Sequence, residues 1–375
     1  MPSKGLRKRI TIALVSTVVA IGGVEAFLQG LVWLFQISDR ARYRECGDCP
    51  WVYEPVPGRK DINSLGLRGP EVSAKASGDV FRILLLGDSV AHGFGVADAD
   101  TFARKLERSL ARKRPVEVLN AAVDGYSPFN QARLFEQRLA ELRPNLVLVQ
   151  TCFNDVVDPR LHWYAWQGIQ RQLDPEAIPP DQLSANQARS APAWRLYETP
   201  WLRPLILNRL IVRALIERHA RTVGISVGQR VHGRFWPTYV TGEMPFTIEP
   251  FLQSESPAMK WFASQHQRTL RRAGEIGARV AFLIAPLAYQ LDASYPFRPQ
   301  DAILAFCKRE GIACLDLLPA LQADGAQDLY LQGSAGDVAL LDIWHFSPRG
   351  HGIVAETTAF FLESAGLIEK TAPRL

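Results

Sequence analysis

Five short apolar runs punctuate this chain after residue 80, at Phe81–Leu86, Val116–Asn120, Leu146–Thr151, Arg279–Ala285 and Ile312–Leu317. Each is five to seven residues long and rich in Val, Ile, Leu or Ala at consecutive positions. A strand covered on both faces has that pattern, whereas a half-exposed strand alternates. Between the runs, Thr101–Lys113, Asn130–Leu142, Pro257–Ile276 and Pro299–Glu310 repeat apolar residues at helical spacing. Ser256-Pro257 and Ser347-Pro348 have the form of an N-cap followed by a first-turn proline. Strand–helix alternation of this kind predicts an α/β fold: a doubly wound, flavodoxin-like sheet of about five parallel strands flanked by helices. Ligands of such sheets bind at the carboxyl ends of the strands.

Charge excludes one large class of partner. The formal net charge is +5, but Lys4, Arg7, Lys8 and Arg9 supply four of it, leaving 39 basic against 38 acidic residues. No basic face for nucleic acid is expected. Those four cations instead precede an apolar stretch. Ile10–Val24 is uncharged, Glu25 and Gln29 interrupt, and Leu31, Val32, Trp33, Leu34, Phe35 and Ile37 continue it. A bilayer crossing needs about 20 residues, so 10–37 suffices where 10–24 alone does not. Cations before the stretch and none directly after it predict a cytoplasmic N-terminus, with the rest of the chain on the far side of the cytoplasmic membrane, the periplasmic or extracytoplasmic side. A cleaved signal peptide is the competing reading, with Val18 and Ala20 as the small residues before the cut. That cut falls inside the apolar run, which favours an uncleaved, single-pass transmembrane anchor. Glu25 is accommodated by protonation, by reaching the interface or by a partner helix.

Cysteine usage fits export. Cys46 and Cys49 form a C-x-x-C just after the anchor, and Cys307 and Cys314 stand seven apart. Either pair suits a disulfide in an oxidising compartment. Cys46-x-x-Cys49 lacks the βαβ setting of a thioredoxin-type site and a second ligand pair for zinc, so a structural disulfide is expected there. Cys152 is left over.

The expected organisation is a cytoplasmic basic segment (1–9), the anchor (10–37), a Pro- and Gly-rich linker or extended arm (38–78) and a catalytic domain (79–370). That domain carries an insertion at 156–277, where the alternation breaks. The insertion holds an amphipathic pattern through Leu202, Leu205, Ile206, Leu210, Ala214 and Leu215. It also holds six of the nine tryptophans: Trp163, Trp166, Trp194, Trp201, Trp236 and Trp261. A segment leaving the carboxyl edge of the sheet stands over the ligand side, as a lid or substrate wall. The aromatics serve either its own small core or contacts to sugar or lipid.

The first strand ends in Leu86-Gly87-Asp88-Ser89. Ser89 therefore falls at a strand-to-loop turn on the ligand side, with backbone N–H groups near a developing oxyanion. A serine hydroxyl needs a base to take its proton, and the base needs an orienting group. Asp342-Ile343-Trp344-His345 offers both: on a tight turn, Asp342 holds His345 while its other nitrogen faces Ser89. His92 and His351 compete as bases but have no carboxylate at that spacing. Gly125, in the loop after the second strand, and the Asn154 side chain, after the third, suit an oxyanion hole. A second serine lies in Gly224-Ile225-Ser226-Val227-Gly228, which fits the G-x-S-x-G elbow. That elbow needs a strand before it and a helix after it. Here an Arg-rich amphipathic stretch precedes Ser226, so it is expected to be a decoy.

In order and approximate spacing these four blocks resemble the SGNH hydrolases, the GDSL-like esterase/lipase family. Gly87-Asp88-Ser89 matches the first block, Gly125 the second, Asn154 the third and Asp342-x-x-His345 the last. The resemblance implies Ser89 as nucleophile, with an oxyanion hole from the Ser89 and Gly125 N–H groups and the Asn154 side chain. Asn63-Ser64-Leu65-Gly66-Leu67-Arg68 looks like the arm of membrane-tethered bacterial members. Cys152 departs from the pattern, since that place usually holds glycine; a larger side chain there is expected to narrow the acyl pocket. Together these readings predict a membrane-anchored serine esterase acting on O-acyl groups of an envelope or exported polysaccharide, or of lipid, with no metal or organic cofactor. An O-acyltransferase shares the first half-reaction. A catalytically silent, membrane-tethered carbohydrate-binding or assembly protein is the reading from another class, and it has no use for an oriented base.

Overall fold

The computed structural model of the chain describes residues 4–36, 43–46, 49–51, 53–74, 78–152, 155, 202, 205, 207, 211, 228–231, 234–237, 256–291, 293, 298–325, 328–335 and 338–368. Its centre is a five-stranded parallel sheet built from β3 (Phe81–Leu86), β4 (Val116–Asn120), β5 (Leu146–Thr151), β8 (Arg279–Ile284) and β9 (Ala313–Asp316). Their order across the sheet is β4-β3-β5-β8-β9. The first strand in sequence thus pairs with the second on one side and the third on the other, the switch point at which doubly wound sheets bind ligands.

Alternate residues of these strands feed two separate cores. Leu84, Leu86, Leu119, Val147, Val149, Phe282 and Ile284 pack on one face under α4 (Pro128–Gln137), α5 (Pro257–Glu275) and α6 (Gln300–Glu310). Ile83, Leu85, Leu146, Leu148, Ala281 and Leu283 pack on the other, under α3 (Phe102–Ala111) and α7 (Pro348–Ser364). Because Ile83 to Leu86 are all about fully buried, at roughly 1.5–3 kcal/mol per large apolar side chain, the run tolerates no polar slip in register. The two serine–proline pairs start helices as expected: Ser256 Oγ accepts from Met259 N and Ser347 Oγ from Gly350 N. The helix expected over Asn130–Leu142 starts earlier, at Pro128, and its last turn tightens into a 3₁₀ turn at Leu139–Leu142.

Ahead of the sheet lies the arm. Strands β1 (Tyr43–Glu45) and β2 (Tyr53–Pro55) pair antiparallel, and Cys46 and Cys49 are joined by a disulfide between them. Cys307 and Cys314 are not joined; the Cys314 thiol makes a hydrogen bond with that of Cys307, which, with burial, raises its pKa. Farther along, Asn63 Oδ1 accepts from the N–H groups of Leu65 and Leu67, and the Arg68 N–H donates to Asn120 O at 2.9 Å, so the arm lies along the end of β4.

At the N-terminus, α1 (Lys4–Gln36) contains a stretch, Lys8–Leu31, long and apolar enough to cross a bilayer. Glu25 is buried within it and accepts from Gln29 Nε2 at 2.8 Å and from the Leu207 N–H at 2.9 Å. Its partner is backbone of the segment between β5 and β8. Of that segment, the described residues include a hairpin of β6 (Gly228–Val231) and β7 (Arg234–Pro237). Leu207 and Ile211 are helical, and the rest of the expected amphipathic helix lies outside the described residues, as do Trp163, Trp166, Trp194 and Trp201. Helix α5, which carries buried Trp261, covers the sheet between α4 and β8.

Candidate active site

The carboxyl end of β3 turns at once into α2 (Ser89–His92), and Gly87 makes the turn fit. A Cβ there would stand 2.6 Å from the Ala91 Cβ and 2.9 Å from Gln150 Oε1. Asp88 caps the short helix, accepting from the Val90 N–H at 2.9 Å. Gln150 accepts from the Ala91 N–H at 3.0 Å. Ser89 is left half-exposed at the helix start.

The base comes from the far end of the chain. Strands β10 (Tyr330–Ala335) and β11 (Val338–Phe346) pair antiparallel, and the ladder carries an irregularity. Between the pairs Tyr330↔Phe346 and Gln332↔Leu341, β10 advances by two residues and β11 by five. Asp342–His345 on β11 thus stand opposite Leu331 alone on β10. A regular strand would send positions three apart to opposite faces; the bulge brings them together. The expected tight turn is therefore a bulge within a strand. Asp342 Oδ1 accepts from the N–H groups of Trp344 (2.9 Å) and His345 (3.1 Å), while Oδ2 meets His345 Nδ1 at 2.7 Å. His345 Nε2 lies 2.8 Å from Ser89 Oγ, across 256 positions of sequence. Burial alone would raise the Asp342 carboxyl. The hydrogen bond and charge of His345, with the two N–H groups, outweigh it and hold the pKa below the ordinary carboxylate value.

The bulge is held in place from behind. Tyr330 Oη donates to Pro286 O at 2.6 Å, and the Ser347 N–H donates to Leu329 O at 2.9 Å. Gly350 admits that approach, since a Cβ would sit 2.1 Å from Leu329 O. On the open side, the Phe94 ring lies 4.6 Å from that of His345, with Phe94 37% exposed. No sequence motif marked Phe94 or Gln150; their roles come from which elements the fold sets side by side.

Gly125 has a φ of +78°, a conformation suited to glycine, in a turn closed by the Tyr126 N–H on Val123 O. The Val123 N–H donates to Gly87 O at 3.3 Å, so this loop abuts the serine turn. Asn154 lies outside the described residues, as does Ser226. At the end of β5, Asp155 Oδ2 accepts from Thr151 Oγ1 and the Cys152 N–H, both at 2.9 Å. Cys152 is buried, with its Sγ 3.6 Å from Asp88 Oδ2 beside the serine turn. The two competing histidines have structural partners. His92 Nδ1 lies 2.9 Å from Ala122 O, and His351 Nδ1 accepts from the Phe102 N–H at 3.2 Å. Among the described residues no cluster of His, Cys, Asp and Glu is placed to hold a metal ion.

A model of the GDSL-like Lipase/Acylhydrolase family matches residues 85–353, well over half of the chain. No curated protein matches it significantly. Among solved structures, an acetyl xylan esterase, AlAXEase, is 11% identical with a TM-score of 0.40, covering 77% of this chain and all (100%) of its own. LAE5, an alpha/beta hydrolase from the metagenome of Lake Arreo, Spain, is 15% identical at a TM-score of 0.39, covering 78% and 96%. A lipolytic protein of the G-D-S-L family from Veillonella parvula is 11% identical at 0.38, covering 74% and 96%.

Proposed function

This chain belongs to the GDSL-like lipase/acylhydrolase family, and on that footing we propose that it is a membrane-anchored serine esterase acting on O-acyl esters. The observation that carries the reading is the continuous relay from Ser89 Oγ through His345 to Asp342, at 2.8 and 2.7 Å. His345 Nε2 takes the Ser89 proton as Oγ attacks the ester carbonyl, and Asp342 stabilises the imidazolium. The Ser89 and Gly125 N–H groups, with the Asn154 side chain, receive the negative charge on the tetrahedral oxygen. His345 then gives its proton to the leaving alcohol, and water, deprotonated by the same imidazole, releases the acid and restores Ser89.

The anchor reading makes residues 1–9 the cytoplasmic end and sets the domain at 79–370, with its insertion, beyond the membrane on the arm of 38–78. It is supported by the four cations ahead of an apolar helix and by the Cys46–Cys49 disulfide, which belongs to an oxidising compartment. An enzyme so placed meets envelope or exported polysaccharide, or lipid, carrying O-acyl groups such as O-acetyl. The test is fluorophosphonate labelling of the full chain, followed by peptide mapping. Labelling confined to Ser89 and abolished in Ser89→Ala is expected. A folded wild type that takes no label sinks the proposal. Acetate release from O-acetylated polysaccharide, with and without an added sugar acceptor, then separates hydrolysis from acyl transfer.

A further inference from the structure

The arm reaches the oxyanion loop through buried tyrosines. Tyr53, on β2, is fully buried, and its hydroxyl donates to the backbone carbonyl of Asp124. That carbonyl and the Gly125 N–H are the two ends of one peptide unit. The unit is planar and trans, with no cis peptide among the described residues. Its carbonyl and N–H point in opposite directions, so a bond that fixes the first aims the second. A donor on the carbonyl oxygen also draws electron density from the amide nitrogen, which makes its N–H a better donor.

Two further tyrosines and their partners surround this contact. Tyr43 Oη donates to Asp124 Oδ2 at 2.6 Å, and the Tyr126 hydroxyl donates back to the carbonyl of Tyr53. The three rings pack edge to face, with Tyr53 5.7 Å from Tyr43 and 5.2 Å from Tyr126 between centroids. Asn130 Nδ2 donates to Trp51 O at 3.2 Å, and Arg138 reaches Glu54 Oε2 and Leu65 O, each at 2.6 Å. The hairpin that the Cys46–Cys49 disulfide closes is thus bolted to the loop beside the serine turn.

We propose that Tyr53 is a positioning residue of the active site: its hydroxyl orients and polarises the Asp124–Gly125 peptide so that the Gly125 N–H faces the oxyanion. This rests on the reading of Gly125 as an oxyanion donor. It makes the membrane-proximal arm part of the catalytic apparatus, beyond its service as a tether.

The experiment compares Tyr53→Phe with Tyr126→Phe in the detergent-solubilised full chain. Both remove one buried hydroxyl from the same stack, and only the first touches the Asp124 carbonyl. With p-nitrophenyl acetate, Tyr53→Phe is expected to lower kcat about ten- to a hundredfold, less than the loss of a whole oxyanion donor. KM stays within about twofold, because the donor acts on the transition state. Phenylboronic acid, whose serine adduct carries the same anionic oxygen, weakens by the factor seen in kcat. Tyr126→Phe leaves kcat within about threefold at a comparable loss in Tm. Equal losses in the two variants, or wild-type kcat in Tyr53→Phe while Ser89 still takes a fluorophosphonate, overturn the Tyr53 assignment alone. A wild type that resists that label overturns it together with the esterase reading. Should Tyr53→Phe fail to fold, fluorinated tyrosines at position 53 replace it. Log kcat rises with phenol acidity if the hydroxyl polarises the peptide, and a flat plot overturns the proposal.

Discussion

Replacing Asp342 with asparagine changes one atom, and the local hydrogen bonds determine which way the new amide faces. Oδ1 of Asp342 accepts two backbone N–H groups, from Trp344 at 2.9 Å and His345 at 3.1 Å, while Oδ2 meets His345 Nδ1 at 2.7 Å. In Asp342→Asn the carbonyl oxygen must stay with the two N–H donors, so the NH₂ group faces Nδ1. Nδ1 then has to accept, which moves the ring proton to Nε2 and aims it at Ser89 Oγ. The serine then has no base. Restoring the working tautomer requires the amide to flip and strand two N–H groups against an NH₂. At about 1–3 kcal/mol each, that costs about 2–6 kcal/mol. At about 1.4 kcal/mol per tenfold, the productive population falls between roughly thirtyfold and twenty-thousandfold. The expected result is a kcat lower by about a thousandfold with little change in KM or Tm, since the swap is isosteric. Nitrogen-15 shifts of the His345 ring report the tautomer directly. A variant that keeps more than about a tenth of wild-type kcat, or whose ring keeps its proton on Nδ1, refutes the reasoning.

Two further outcomes follow from groups away from the relay. Burial lowers the pKa of His266 and His351 to about 3; for His351 the charges of Lys105, Arg68 and His345 add to it. Both are neutral when folded and take up a proton on unfolding below the ordinary imidazole value, so stability is full above about pH 6.5 and declines towards pH 3. The slope is about 1.4 kcal/mol per pH unit for each histidine. Urea unfolding at pH 7, 6 and 5 reads it, and a folded His266→Phe variant whose slope equals wild type contradicts it. Asp98 and Asp316, raised by burial, act with the opposite sign. Alkylation of the denatured protein counts thiols: of the five cysteines, three are expected to react before reduction and all five after, and five before reduction removes the Cys46–Cys49 bond.

Local pattern settled the sheet. Phe81–Leu86, Val116–Asn120 and Leu146–Thr151 match the expected bounds, because a strand buried on both faces is apolar over most of its length, and its buried polar positions, such as Arg82, Asn120 and Gln150, find hydrogen-bond partners. Ser89, Asp342 and His345 were legible as residue types at spacings that chemistry uses. Their meeting was expected as well, but on a tight turn; that Asp342 and His345 share a side through a bulge was not legible, since the bulge depends on how β11 pairs with β10. The arm was harder still. Its sequence reads as a Pro- and Gly-rich linker or an arm packed on the domain without showing what it grips: Arg68 is buried and donates to the carbonyls of His92, Gly93 and Val96, and Tyr53 donates to the Asp124 carbonyl. Those partners are backbone atoms, which every residue carries, so no side-chain motif records them. Hydrophobic periodicity is local and therefore written in the order of residues. The proton path and its supports join segments up to 256 positions apart, and only the packed chain sets them within hydrogen-bonding reach.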